Sequence, residues 1–479
     1  MIYRLRHNVE LVERDGAFFL MSKTPLCVLR LNRSLADLVR RGTDGTLIDA
    51  SAEEQKILEQ LTAKGFAERV REASELPATL PDVSVIIPVM NRADELRRCL
   101  ASLSQISYPK EKLQIIVVDD GSSDDSPSVA REFGALLVYS GGTGRGPAAA
   151  RNVGASNAAG EILAFIDSDC SASQRWLDDL IPAFNDPAMA AVGGQVDGMC
   201  SESAVDRYEA VMSSLSIGNR ERVGNSGNDT FYLPSCNLLV RRSAFQSAGG
   251  FKDSMHVGED VDLTWRLRDK GLSICYLPSG NVLHEHRSSI RSFMSRRFDY
   301  GTSEGMLQLL HPHRQKQMVI PPLSAALLII CLMTPFAGWW PLLPAVILLA
   351  ADSAIIRFMF IRRGVPIGLT SLITGRLRTV GSLIYYLSYH LVRYYTLPLL
   401  IITLFAPGLW ARVLPAAFLL IAAAVDFMIK KPQLTFAGFS IIYLLEQLAY
   451  GAGVFWGCLT RKCFTSYRVV IFRQVEQTA

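Results

Sequence analysis

The chain has no secretory leader pattern, no metal-type cysteine spacing and no strong charge of either sign. Its start, MIYRLRHNVELVERDG, carries charges throughout and lacks the apolar stretch of a signal peptide, so a secretory signal is not expected. The nine cysteines are scattered (Cys27, Cys99, Cys170, Cys200, Cys236, Cys275, Cys331, Cys458 and Cys463), and none forms a C-x-x-C pair. No Cys/His cluster has zinc spacing, so the cysteines read as reduced, mostly buried thiols in a cytoplasmic compartment. A formal net charge of +4 over 479 residues is too small to indicate a nucleic-acid partner. There is no Walker lysine followed by Ser or Thr, no G-x-G-x-x-G fingerprint in the right context, no internal repeat and no long low-complexity tract.

What is present divides by composition. Charged and apolar residues mix in globular fashion up to about residue 318, and from Pro321 to about Trp456 the text is mostly Leu, Ile, Ala, Phe and Tyr. Three segments are expected: 1–75, 82–318 and 319–479. In the first, VELVERDGAFFLMS reads as two strands with Asp15-Gly16 at the turn. CVLRLNRSLADLVRRG reads as a strand and then a helix, capped by Asn32 or Ser34 and ended by Gly42. Ser51 and Glu54 form a capping box for a second helix. This layout is consistent with a small winged-helix domain without catalytic groups, and REASELPATLP reads as the linker after it.

From Val83 strands and helices alternate. VSVIIPVMN is a continuous apolar run, as in a strand buried on both faces of a parallel sheet. LQIIVVDD, LLVYSGG and ILAFIDSDC repeat the pattern with helical text between them, which predicts a doubly wound α/β sheet. Ligands bind such sheets beyond the carboxyl ends of the strands. Asn91, Asp119, Asp120, Asp167 and Asp169 all fall at or just after strand ends.

Asp167 and Asp169 are one residue apart, and each disfavours the other's charge unless a cation neutralises them. A divalent ion would do so and would also bridge a diphosphate. Acids at a strand end also start loops and cap helices. Asp120 could accept hydrogen bonds from a base or ribose, or belong to a turn cluster with Gly121. GGTGRGPAAARNVG is either a flexible loop before a helix or a backbone that, with Arg151, approaches a nucleotide. Glu259 and Asp260 open the helix VDLTWRLRDKG, either as dipole-matching caps or as a general base. His284 and His286 end a strand, where alternation should turn only one of them into a site.

VSVIIPVMNR, VVDDGSSDDS, GPAAARNVG, FIDSDC, GGF, GED and VLHEH occur in the order seen in family 2 glycosyltransferases of the GT-A fold, and the resemblance covers about residues 82–300. It implies a hexosyltransferase with a sugar-nucleotide donor, a divalent metal (Mn²⁺ or Mg²⁺) and inversion at the anomeric carbon. By motif match, Asp120 would help hold the uridine, with Pro88, Asn91, Arg151 and Asp167 also on the donor side. Asp169 and His284 would be metal ligands, with His286 less favoured. Asp260 would be the catalytic base, with Glu259 beside it near the acceptor. Arg296 or Arg297 would touch the pyrophosphate. The Q-x-x-R-W signature of processive synthases is absent. GAFFLMSKTPLCVLRLNRSLADLVRRG resembles the PqqD-like peptide-recognition fold found on glycosyltransferases of the mycofactocin system. That implies glucose, from UDP-glucose, added to a peptide-derived redox cofactor or its precursor. The alternatives are a membrane enzyme making cell-surface polysaccharide or glycolipid, and a peptide-binding membrane scaffold with an inactive transferase domain.

Four runs could span a bilayer: 323–340, 343–361, 396–411 and 413–429. Arg362-Arg363 and Lys430-Lys431 follow the second and fourth runs. This suits two hairpins returning to the cytoplasm in a bacterial inner membrane, with membrane lipid as a partner and the catalytic domain facing the cytoplasm. Residues 375–395 read as an interfacial helix, and residues 439–463 could lie at the interface or span, with the interface favoured because spanning would place Arg461-Lys462 outside.

Overall fold

The computed structural model describes residues 2–14, 16–23, 26–70, 76–77, 79–224, 229–362 and 367–472. Asp15 of the expected turn, residues 71–75 and 78 of the expected linker, and Arg363 of the first basic pair lie outside the described residues. Compactness divides the chain into two units, differently from the three segments expected from composition. One unit is Met1–Ser74 with Gln317–Leu387 and Ile471–Ala479; the other is Glu75–Lys316 with Ser388–Val470.

In the first unit, strands Val9–Arg14, Ala17–Lys23 and Leu26–Leu31 form an antiparallel meander, and Ile2–Leu5 pairs antiparallel with Ile48–Asp49 and with Ala67–Val70. Asn32 caps helix Arg33–Arg40 by accepting from the Leu35 amide at 2.8 Å. Ser51 and Glu54 form the expected capping box on helix Ala52–Ala63. The three strands that pattern reading missed are short, and their partners are distant in sequence, so no local periodicity marks them. One face of the meander adds Leu20 to a core with Tyr3, Val39, Leu58 and Phe66. The other packs Phe19 and Met21 against Ile367 and Leu372.

The second unit is built on an eight-stranded sheet. Its order is Arg222–Gly224, Ser273–Tyr276, Met189–Gly193, Asn237–Arg241, Ile162–Ile166, Val83–Val89, Leu113–Asp119, Leu136–Tyr139. The last four run parallel, as the strand–helix alternation predicts. The sheet as a whole is mixed, because Asn237–Arg241 is antiparallel to both of its neighbours. Its central strands are buried because both faces are covered, while the edge strands Arg222–Gly224 and Leu136–Tyr139 stay largely exposed. Val83, Val85 and Ile87 join one core with Leu96 and Leu100, while Ile86 and Ile116 join the other with Ala148 and Leu263. Strand Val83–Val89 lies between Leu113–Asp119 and Ile162–Ile166. The acids after those two strands therefore open toward the same end of the sheet. A separate small sheet pairs Val282–His284 antiparallel with Cys170–Ala172 and parallel with Val196–Gly198.

Among the described residues, three helices are long and apolar enough to cross a membrane: Leu342–Arg362, Leu409–Lys430 and Phe436–Arg461. The expected span 396–411 is not a separate helix. Residues up to Phe405 continue a helix that begins at Leu369, and a new helix starts at Leu409. Within the long helix Tyr395 leaves helical geometry (φ −130°). Pro398 stands three residues further on, where it cannot donate to the preceding turn and crowds the Tyr394 carbonyl. Phe436–Arg461, expected at the interface, has the length of a span, and half of its apolar window is buried within the protein. It packs along helix Ile290–Leu310 through Gly301 and Gly305 on one side and Gly453 and Gly457 on the other. A Cβ on any of these four glycines would strike the backbone of the facing helix.

Candidate active site

A cavity of about 690 Å³ opens at the carboxyl end of the central strands, wholly within the second unit. Pro88, Asp120, Arg151, Asp167, Asp169, Glu259, Asp260, His284 and Arg297 all line it, and Asn91 does not. Asn91 is exposed in the left-handed region (φ 53°), and its Oδ1 accepts from the Ser123 amide at 2.7 Å. The carboxamide thus closes the loop after Asp120 rather than facing a donor.

Asp120 is buried, and its carboxylate is taken up by the glycine-rich loop. Oδ1 accepts from Ser140 Oγ (2.6 Å) and the Arg145 amide (3.0 Å), and Oδ2 from the Gly146 amide (2.8 Å). Its visible work is to fold this loop against the cavity. Gly121 (φ 88°) has no room for a Cβ against Thr143, which keeps the two loops in contact.

The repulsion between Asp167 and Asp169 is resolved by two different cations. Asp167 Oδ1 accepts from Arg151 Nη2 at 2.5 Å. Asp169 is ion-paired with Arg92, and its Oδ1 lies 3.5 Å from His284 Nε2. Burial works against the charge on Asp169, but His284 and Arg92 hold its carboxyl below the usual range. Strand register produces this corner. Cys170 lies opposite His284, and the Glu285 amide donates to the Asp169 carbonyl at 2.9 Å. His284 Nδ1 is buried without a hydrogen-bond partner among the described residues. A carboxylate oxygen and an imidazole nitrogen converging beside an unsatisfied ring suit a divalent cation. Cys170 belongs to the same group, but burial pushes its thiol well above its ordinary pKa, so it stays protonated.

His286 enters the same cavity, contrary to the alternation argument. The strand ends at His284, so period-two geometry stops there, and the two rings stand 4.8 Å apart. His286 Nδ1 lies 3.7 Å from Glu209, and burial and the neighbouring His284 bring its pKa down to about 3.

Gly258 (φ 80°) turns the chain into helix Glu259–Asp269, which places both acids at the helix start. Asp260 Oδ2 accepts from the Ser235 amide at 3.1 Å and Oδ1 from the Val261 amide at 2.8 Å. Burial raises its pKa, opposed by these amides and by Arg151. Glu259 is raised to about 7 by burial and by Asp260. Arg151 is 3 % exposed and spans Asp167 and Glu259, its Nη1 donating to Glu259 at 2.8 Å. The arginine expected on the donor is therefore engaged by the two acids that flank the reaction space. Arg297 is engaged likewise: it donates to Glu209 at 2.7 Å and Ser214 at 2.9 Å, and lies 3.1 Å from Glu446. Arg296 sits 4.8 Å over the Tyr300 ring and lines the cavity beside it.

Arg92 and Glu209 were not singled out in the sequence, nor were Arg393 and Tyr450 of the C-terminal helices, which also line the cavity. Arg92 follows the first strand motif directly and was recoverable from it. The other three carry no local signal.

Residues 84–249 match the family described as "Glycosyl transferase family 2". The chain is 32% identical over 470 residues to the pre-mycofactocin glycosyltransferase of Mycobacterium tuberculosis, covering 94% of this chain and 93% of that protein. It is 33% identical over 207 residues to glycosyltransferase AglE of Haloferax volcanii, covering 42% of this chain and 66% of that protein. Among solved structures, it is similar to a mannosyltransferase of Pyrobaculum calidifontis in complex with GDP-Man and Mn²⁺. The TM-score is 0.40 and the identity 21%, over 78% of this chain and 95% of that one.

Proposed function

The chain belongs to glycosyl transferase family 2 and is a glycosyltransferase with a GT-A-like α/β fold, and from this premise we propose that it is an inverting, metal-assisted hexosyltransferase acting on a peptide-derived redox cofactor or its precursor, as in mycofactocin biosynthesis. The observation that carries the chemistry is the meeting, in one cavity, of the Asp169–His284 corner with Asp260. Asp260 takes the proton of an acceptor hydroxyl while that oxygen attacks the anomeric carbon. The bond from this carbon to the nucleoside diphosphate breaks on the opposite face, and the diphosphate leaves with its electron pair. The Ser235 and Val261 amides hold the Asp260 carboxylate in place. A divalent cation, Mn²⁺ or Mg²⁺, held by Asp169 and His284, would neutralise the departing diphosphate. Of Arg296 and Arg297, Arg296 is the one not held in an ion pair with Glu209 and Glu446, and it would meet that charge. Pro88 and the loop folded on Asp120 form the nucleotide end, with UDP-glucose as the donor.

The peptide-derived acceptor is supported by likeness to the pre-mycofactocin enzyme across nearly the whole chain, its N-terminal part included. In this reading residues 1–75 are a PqqD-like domain that presents the peptide part of the acceptor. The catalytic segment 82–318 works at the cytoplasmic face of a bacterial inner membrane, attached through 319–479. The second reading, a glycolipid or polysaccharide transferase, is favoured by the three apolar helices. Mass spectrometry decides between them. The detergent-solubilised protein is incubated with UDP-glucose, Mn²⁺ and either a peptide-derived acceptor or a lipid acceptor. A hexose mass added to the peptide-derived acceptor is expected; addition to the lipid alone overturns the first reading.

A further inference from the structure

We propose that Asp269, His311 and His313 form a second divalent-metal site, of zinc-type imidazole and carboxylate chemistry, that ties the far end of the helix bearing Glu259 and Asp260 to the segment after helix Ile290–Leu310. The three residues each bring one ligand atom into a group no wider than 4.8 Å. His311 Nδ1 lies 3.4 Å from Asp269 Oδ2, and His313 Nε2 lies 3.2 Å from Asp269 Oδ1. Bonds of about 2.0–2.1 Å to a tetrahedral Zn²⁺ put neighbouring ligand atoms about 3.3 Å apart, which the separation of His311 Nδ1 from Asp269 Oδ2 matches.

The setting of His311 points the same way. The ring is buried between two carboxylates, with Nε2 3.0 Å from Asp262 Oδ1 and Nδ1 toward Asp269. A neutral imidazole has one N–H to give. Donated to Asp262, it makes Nδ1, turned to Asp269 Oδ2, the atom available to a cation. A carboxylate bonded to the far nitrogen of a histidine is also the usual outer partner of a metal-bound ring. Asp262 is itself held 2.7 Å from Arg266, so its orientation is set independently of the ion. Arg314 bonds Asp269 Oδ1 at 2.6 Å, which leaves Oδ2 turned toward His311. No residue of this group belongs to the Asp169–His284 corner.

The helix from Glu259 to Asp269 has its two catalytic-site acids at one end and this cluster at the other. An ion here fixes the second end, and its role is to hold the helix rather than to touch substrate. The test uses the full-length protein in detergent carrying Asp169→Asn, which empties the other candidate site. After chelator treatment it is titrated with Co²⁺ and followed by visible absorption. One equivalent of tetrahedral Co²⁺, displaced by Zn²⁺, is expected. Adding His313→Gln should abolish the signal while circular dichroism stays unchanged, since His313 is half-exposed and its loss leaves the core intact. Absence of the Co²⁺ signal in Asp169→Asn overturns the proposal, as does its persistence with His313→Gln. An NMR finding of an imidazolium at His311 in metal-loaded protein overturns it too.

Discussion

Cys170 and His284 are register partners in an antiparallel strand pair, and this one pairing places the Asp169 carboxylate 3.5 Å from the His284 ring. If that corner holds the divalent cation, Asp169→Asn and His284→Gln should each lower turnover by about two to three orders of magnitude, several kcal/mol of transition-state stabilisation. Both should also flatten the response to added Mn²⁺. Unaltered metal stimulation in either variant would contradict the ligand assignment.

Asp260→Asn keeps the volume and can still accept from the Ser235 amide, but it cannot take a proton. Transfer should fall by about 10²–10⁴-fold. Nucleotide binding, measured by calorimetry, should change little, since the proposed role puts Asp260 on the acceptor hydroxyl rather than on the nucleotide. Retained turnover would remove Asp260 from the role of base.

Arg151 is the buried cation between Asp167 and Glu259. Arg151→Met leaves the buried Glu259 carboxylate and the partly exposed Asp167 carboxylate without their partner, a loss on the order of 3–5 kcal/mol set mainly by the buried pair. A clear drop in the unfolding midpoint is expected, with partial recovery in the double variant Arg151→Met/Glu259→Gln. A drop of the same size in the double variant would mean that Arg151 acts through packing, for example on Phe251, whose ring lies 5.7 Å from its guanidinium.

The strand ends and acids of this site were legible because each sits at a change of pattern, where a buried apolar run meets Asp or Gly. This holds for Asp120, Asp167 and Asp169, while Asp260 was marked by the Gly-Glu-Asp start of a helix. The roles of Arg151 and Arg297 were not legible, because what they touch is set by Glu259, Glu209 and Glu446, which are remote in sequence. The antiparallel strand Asn237–Arg241 was missed for a related reason: its apolar residues alone do not state direction. Asn91 misled because a motif position was read as a ligand contact, whereas a left-handed backbone turned its side chain onto Ser123.

Glu209 gives a pH test. Burial raises its pKa from 4.5 to about 7, with Arg297 opposing and Glu446 adding to the shift. A carboxyl raised on folding contributes stability that is complete below 4.5 and is lost as pH climbs through 7. His286, lowered on folding to about 3 from 6.5, works in the opposite direction between those values. The quantity to read is therefore the melting temperature of wild type minus that of Glu209→Gln. This difference should decline steadily from pH 4.5 to 7, and a flat difference would mean that Glu209 keeps an ordinary pKa.

The last prediction concerns the glycine seam between helices Ile290–Leu310 and Phe436–Arg461. Gly301 and Gly305 face Gly453 and Gly457 so closely that backbone meets backbone, and Tyr450 on the second helix lines the active-site cavity. A side chain at Gly453 would meet the Phe298 carbonyl, which cannot rotate away as a flexible side chain could. Gly453→Leu should therefore force the helices apart, at a cost of at least about 1–3 kcal/mol from overpacking. It should also displace the Tyr450 wall, so activity should fall even under conditions where the variant remains folded. Gly451→Ala is the control on the same helix. A Cβ there would lie 3.1 Å from the Arg393 carbonyl and away from the seam, so both stability and transfer should change less than in Gly453→Leu. Equal losses in the two variants would show that the seam is no more sensitive than the rest of the helix. Full activity in Gly453→Leu would show that the cavity does not depend on this contact.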